Sequence, residues 1–455
     1  MQTKTIPKRL LLAAVLCMAV FFTAVSGYAA PVSETEAVAV AKSWLAAEIN
    51  SPNLKFDQNR RGMMLNKLTS PEVLYLVSQE DLVSERPADK PVLAYVIKYQ
   101  PGGYVVVSGD DRIDPIIAFD SQAEFRWDQP ELNYMHFFLG RTMAARWNYL
   151  SAQLAEEMPT DVHPNWQRLR VDLSSGFRPR PAVGTTYVFW DTAPWHQGGY
   201  YNDLVVLRNG GNEVPVGCTA TSMAIKMRFH SWPHTGYGSH SYNDLWGAVR
   251  YGHAVNFGAQ IYNWENMPAS GITSPNDDVA ALMYHCGVAV DMNYELDGSV
   301  AWPSAEAMNT FFRYKGTTEI TSDHESMMAL SIKGGLPVVL STSAHTVLAC
   351  GYRDTMSRYF YLNVGWGGNS DGWYNLDEIP GGSDHLIDRS YPYSSPTNYI
   401  YVDGSWSTLE LGHIYAPYNT LYEGDWFTPS GGRLWIRGGF VGTGGSNVTL
   451  GPSIT

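Results

Sequence analysis

Four cysteines occur in this chain of 455 residues: Cys17, Cys218, Cys286 and Cys350. Cys218 stands where a thiol could become a nucleophile. Gly217 precedes it, Ala220, Met223, Ala224 and Met227 follow at helical spacing, and Pro233 ends the run. That pattern predicts a buried helix opening at Cys218. The unpaired N–H groups and positive dipole end of a helix start favour the thiolate, which is the reactive form. A small core residue is the commoner fate of a cysteine, so a partner has to decide the matter. Ser343-Ala344-His345-Thr346-Val347-Leu348-Ala349-Cys350 reads as a strand with His345 at its start. An imidazole can hold a thiolate as an ion pair and later protonate a leaving amine near neutral pH. Farther on, a strand ends at Asn363 and opens a Gly-rich aromatic loop, Val364-Gly365-Trp366-Gly367-Gly368-Asn369-Ser370-Asp371-Gly372. Asn363 or Trp366 is placed there to orient the imidazole and shield its hydrogen bond from water.

Other candidates carry less. Cys286 stands beside His285, but adjacent residues point apart in a helix or strand, so Cys286 is expected to be buried. His230, His234 and His240 cluster in sequence without a Cys or carboxylate at zinc spacing. Met223 and Met227 are expected in the core. No metal or cofactor is expected.

The elements that must position this chemistry fall into four stretches. Lys4, Lys8 and Arg9 precede an apolar run from Leu10 to Val25, and Ser26, Gly27, Ala29 and Ala30 follow. Residues 1–30 therefore read as a secretory signal peptide, and a secreted, extracellular or cell-surface location is expected. Its removal leaves three cysteines, an odd number and a poor disulfide framework. Residues 31–178 read as a small α+β unit. A capping box at Ser33-Glu34-Thr35-Glu36 opens a helix, strands follow at 92–99, 104–108 and 116–119, and a second helix runs over about 132–154. A polar connector, Ser174-Ser175-Gly176-Phe177-Arg178-Pro179-Arg180-Pro181, offers an exposed site for proteolytic nicking. Residues 179–404 hold the chemistry, and 405–455 read as a β-rich extension. With 45% hydrophobic and 16% charged residues a packed core is expected; the net charge of −13 argues against nucleic acid as partner. No second stretch is apolar enough to span a membrane after signal removal.

Taken together, these segments resemble the streptopain family of secreted bacterial cysteine peptidases. The resemblance rests on Gly217-Cys218 through Met227 with Phe229-His230-Ser231-Trp232-Pro233, on Ala344-His345-Thr346-Val347-Leu348, on Asn363 through Gly372, and on Val288 through Tyr294. The separation of Cys218 and His345 is close to the roughly 130–150 residues of papain-like peptidases. The resemblance implies a papain-like α+β fold, with the nucleophile's helix packed on an antiparallel sheet that carries the His. The first region, through Gly102 to Asp110, looks like that family's inhibitory propeptide. The family has an oxyanion-hole Gln, and Trp195-His196-Gln197-Gly198-Gly199 resembles its segment, giving Gln197 that role. It also implies substrate contacts at Ala344 and Ser299. Val364 departs from the family pattern, where a Trp is usual. The implied activity is hydrolysis of protein or peptide substrates, latent while the chain's own propeptide is attached. The alternatives are an inactive relative acting in extracellular binding, or a transglutaminase-like amide exchanger on the same fold.

Overall fold

The computed structural model describes residues 31–50, 58–66, 68, 70–78, 81–100, 102–125, 134–153, 162–174, 186–205, 211–246, 249–296, 298–321, 324–342, 345–376 and 385–392, with two short pieces at 399–400 and 409–410. The signal segment, the connector beyond Ser174, Ala344 and nearly all of the 405–455 extension lie outside the described residues.

Ser33 caps the first helix, α1 (Glu34–Ile49), by accepting the Glu36 N–H at 3.2 Å, the first half of the expected capping box. Ala37, Val40, Ala41, Trp44, Leu45 and Ile49 form its buried stripe. After α2 (Gln58–Asn66) come β1 (Glu72–Leu76), β2 (Leu82–Val83), β3 (Ala94–Lys98), β4 (Tyr104–Ser108) and β5 (Ile116–Asp120). Two helices, α3 (Tyr134–Gln153) and α4 (Pro164–Ser174), complete the N-terminal region. The strands are buried on both faces. Val105 and Val107 join a core with α1 and Trp166, while Tyr104 and Val106 join one with Leu139 and Met143 of α3. This is the two-residue period of a strand.

The second half opens with β6 (Tyr187–Phe189) and α5 (Cys218–His230), followed by the hairpin β7 (His240–Trp246) and β8 (Val249–Val255). Next come α6 (Asp277–Ala289), α7 (Ala305–Phe311), β9 (Tyr314–Lys315), β10 (Thr318–Thr321) and α8 (His324–Lys333). The sheet is completed by β11 (Val338–Ser341), β12 (Thr346–Asp354), β13 (Arg358–Asn363), β14 (Gly372–Tyr374) and β15 (His385–Asp388). Helix α5 lies between α6 and the β11–β12 pair, in a core of Met223, Ala224, Met227, Leu282, Met283, Cys286 and Leu348. The methionines expected in the core are there. Lys226 is fully buried on the same helix and donates to the Asp388 carbonyl (3.2 Å) and Ser390 Oγ (3.1 Å), tying α5 to β15.

One sheet runs through both halves of the chain. Its order is β10-β15-β11-β12-β13-β14-β5-β4-β3-β1-β2, with β6 also on β12, and every pairing is antiparallel. The N-terminal strands thus continue the sheet of the second half, with Trp373 opposite Phe119 and Tyr374 opposite Ala118. Pairing with β5 satisfies backbone groups that an edge at β14 would leave open.

A buried ion pair crosses the same boundary. Arg353 on β12 donates to both carboxylate oxygens of Glu48 on α1, at 2.7 and 2.8 Å, with Phe119 and Trp373 rings 5.2 and 5.4 Å from its guanidinium. Trp44, Phe119 and Tyr359 pack beside it, ring centroids 5.2 to 6.0 Å apart. Removing one partner strands the other charge in the interface. Glu48→Ala should therefore destabilise the full chain by about 3–5 kcal/mol in urea unfolding. A loss below about 1 kcal/mol, the range of a surface pair, would mean the pair does not hold the two halves together.

Candidate active site

The turn before Cys218 explains its glycine. Gly217 has φ 90° and ψ 147°, a region that side-chain-bearing residues avoid. A Cβ there would also meet Met292 Sδ at 2.8 Å and the Ser299 carbonyl at 3.0 Å. The Gly217 carbonyl accepts the first helical bond, from Thr221 N–H at 3.0 Å, and the Thr221 hydroxyl at 2.9 Å. Cys218 is thus the first residue of α5, half-buried, at the positive end of the helix.

Hydroxyl groups dock this helix on the strand that carries the histidine. Ser222 Oγ donates to the Thr346 carbonyl at 3.0 Å, and Thr219 Oγ1 lies 3.1 Å from Thr346 Oγ1. His345 immediately precedes β12, buried, with its imidazole near enough to Cys218 to draw the thiol's pKa down. The imidazole Nε2 is 2.9 Å from the Val364 carbonyl. A carbonyl only accepts, so Nε2 carries the proton and Nδ1 is left to face the thiol. The Trp366 ring covers the imidazole at a centroid distance of 4.7 Å.

Nε2 thus donates to the backbone of Val364, between the two sequence candidates Asn363 and Trp366. Asn363 is committed elsewhere: its amide donates to Thr192 Oγ1 (3.0 Å) and the Ala193 carbonyl (2.9 Å), and its Oδ1 accepts Gly365 N–H (3.1 Å). It shapes the loop from below. Gly365, at φ 75°, lets that loop press on α5, where a Cβ would sit 2.9 Å from Thr221 Cγ2. The loop is held further by Asp371, whose Oδ1 accepts Val364 N–H at 2.8 Å. A backbone carbonyl has no signature in sequence. Asp371 lies within the loop already singled out, but no spacing rule marks it.

The remaining candidates lie around the same turn. Gln197, half-buried, accepts Val216 N–H on its carbonyl at 2.9 Å, which lays its segment alongside the residues leading into Cys218. Gly367 N–H donates to the Trp195 carbonyl at 3.0 Å, fixing that segment on the histidine side as well. Ser299 is buried; its Oγ donates to the Pro215 carbonyl at 2.5 Å and accepts Glu295 N–H at 3.3 Å. Its hydroxyl is thus engaged in holding the Cys218 turn. Ala344 lies outside the described residues. The clustered histidines part company: His230 Nδ1 pairs with the Tyr314 hydroxyl at 3.0 Å, and His240 with Asp291 at 2.7 Å.

Electrostatics separates the three thiols. Burial would push Cys218 up, but the His345 charge and hydrogen bonds from His345 and Thr346 outweigh it and bring the thiol down to about 7. Burial pushes Cys350 up to about 12, and Cys286 higher still. Both are fully buried, as expected for Cys286. Only Cys218, of the three, combines access with a stabilised thiolate.

Residues 195–374 match the Peptidase C10 family and residues 29–144 the Spi protease inhibitor family. The chain is 25% identical over 299 residues to the thiol protease/hemagglutinin PrtT of Porphyromonas gingivalis, covering 62% of this chain and 33% of that protein. It is 24% identical over 317 residues to streptopain of Streptococcus pyogenes, covering 63% of this chain and 74% of that one. The chain thus spans only a third of the first relative and about three quarters of the second. A mutant prointerpain A fragment of Prevotella intermedia superposes with a TM-score of 0.52 at 20% identity, over 70% of this chain and 98% of the fragment, a likeness of fold. Residues 195–374 are thus a domain of the Peptidase C10 or streptopain family, and a Spi-type inhibitor domain stands ahead of it.

Proposed function

We propose that this protein is a secreted cysteine endopeptidase made as a zymogen. The observation that carries the proposal is the Cys218 thiol at a helix start beside the His345 imidazole, whose far nitrogen is fixed by the Val364 carbonyl. Nδ1 of His345 takes the thiol proton. The Cys218 thiolate then attacks the scissile carbonyl carbon, and the oxygen takes up negative charge. The Cys218 backbone N–H and the Gln197 side-chain amide face that oxygen and stabilise it. As the C–N bond breaks, Nδ1–H protonates the leaving amine and an acyl-enzyme thioester remains. The imidazole next takes a proton from water, which attacks the thioester and releases the acid and the thiol. Asn363 and Trp366 shape and shield the imidazole's surroundings, and the backbone near Ser299 and Ala344 flanks the substrate. No cofactor takes part.

Residues 31–178 act as the inhibitory propeptide, 179–404 as the catalytic domain, and 1–30 as the export signal. Shared sheet pairing and the Glu48–Arg353 ion pair favour a propeptide that stays docked until the connector is cut. Proteins or peptides outside the cell are the substrates, and the chain's own propeptide is the inhibitor.

Cys218→Ala should abolish peptide hydrolysis while the thermal unfolding midpoint stays near that of the wild type, and Cys286→Ala and Cys350→Ala should remain active. Amide exchange without hydrolysis would point to a transglutaminase-like enzyme, and neither reaction to an inactive binding relative. Full activity of the uncleaved chain would exclude an inhibitory role for the first domain. Gln197→Ala should lower kcat by about 10²–10³ and leave KM nearly unchanged. A rise in KM alone would make Gln197 a substrate contact instead.

A further inference from the structure

The carbonyl that meets His345 belongs to a residue held from its other side. Val364 offers its C=O to imidazole Nε2 at 2.9 Å and its N–H to Asp371 Oδ1 at 2.8 Å. We propose that Asp371 is a positioning residue for the catalytic imidazole: its carboxyl clamps Val364 so that the carbonyl meets Nε2. The backbone gives the clamp a task. Gly365 follows at φ 75°, so the chain reverses direction straight after the carbonyl, and a turn of this kind holds its aim only where neighbouring groups fix it. Asp371 itself is 7% exposed, and Asn363 secures the same turn through Gly365 N–H.

The clamp is also where the inhibitor domain grips the catalytic loop. Tyr104 of β4 donates its hydroxyl to the Asp371 carbonyl at 3.3 Å, Ser370 N–H donates to the Glu124 carbonyl at 3.3 Å, and Asn375 N–H donates to the Ile117 carbonyl at 2.8 Å. Burial raises the Asp371 carboxyl to about 7, against the Val364 hydrogen bond that lowers it, with Asp120 of the inhibitor domain adding to the rise. A carboxyl oxygen can accept from Val364 N–H whether or not the group is ionised. The working element is thus an acceptor at a fixed place rather than a charge, and asparagine supplies the same acceptor.

This inference rests on the Cys218–His345 reading. The test compares full-length chains carrying Asp371→Ala, Asp371→Asn and Asp371→Glu, matured in trans by wild-type enzyme. It reads kcat and KM on a peptide and the pH profile of Cys218 alkylation. Asp371→Ala should lower kcat by about 10²-fold, the size of a misplacement near 1 Å, with KM held and the alkylation limb moved to higher pH. Asp371→Asn should restore both. Wild-type kcat and alkylation in Asp371→Ala, or equal loss in the folded Ala and Asn chains, would overturn the proposal. Should Asp371→Ala not fold, the contrast is Asn against Glu. An active Asn chain with an impaired Glu chain, whose carboxylate is displaced by one methylene, supports an acceptor held in place, and the reverse overturns it. A Cys218→Ala chain that still cleaves peptide would end the underlying reading instead. An unaffected Asp371→Ala beside a dead Cys218→Ala would end this inference alone.

Discussion

The site depends on one contact, the hydrogen bond from the His345 imidazole to a backbone carbonyl. Partial burial alone would push a thiol at a helix start toward the neutral form. It becomes a nucleophile only where an imidazole presents the right nitrogen. The Val364 carbonyl settles which nitrogen that is, because an acceptor at Nε2 leaves Nδ1 for Cys218. The features nearby serve that alignment. Thr346 stitches the helix to the strand, Gly217 and Gly365 let two tight turns approach, and the Trp366 ring packs against the imidazole.

The same arrangement reaches the N-terminal domain. The loop that supplies the carbonyl ends in β14, and β14 pairs with β5 of the inhibitor domain. The two domains therefore share a sheet as well as a surface. The Arg353–Glu48 pair and a cluster of aromatic rings cross the same boundary. An inhibitor docked in this way touches the back of the catalytic loop through two main-chain bonds, which persist through most side-chain changes, and the Tyr104 hydroxyl.

Much of this was legible in sequence, for a physical reason that also sets the limit. The positions of Cys218 at a helix start and His345 at a strand start were readable because each stands where a periodic pattern starts, and periodicity is local. The strands at 94–98, 104–108 and 116–120 and the helices at 34–49 and 134–153 fell near their expected bounds for the same reason. Non-local pairings were not readable. Arg353 and Glu48 lie 305 residues apart, and no spacing links β5 with β14. The support of His345 was placed on Asn363 or Trp366 because side chains have letters and carbonyls do not. The altered residue at Val364 matters little to that bond, since any residue supplies the carbonyl.

The central claim is a thiolate at Cys218 stabilised by His345. Site-resolved iodoacetamide labelling across pH, followed by mass spectrometry of the tryptic peptides, tests it most directly. Of Cys218, Cys286 and Cys350, Cys218 alone should be labelled in the folded chain, with a rate half-maximal near pH 7, while Cys286 and Cys350 react only after unfolding. Labelling of Cys218 that rises only at the pH of an ordinary thiol, about 8.5, or preferential labelling of either buried cysteine, would contradict it.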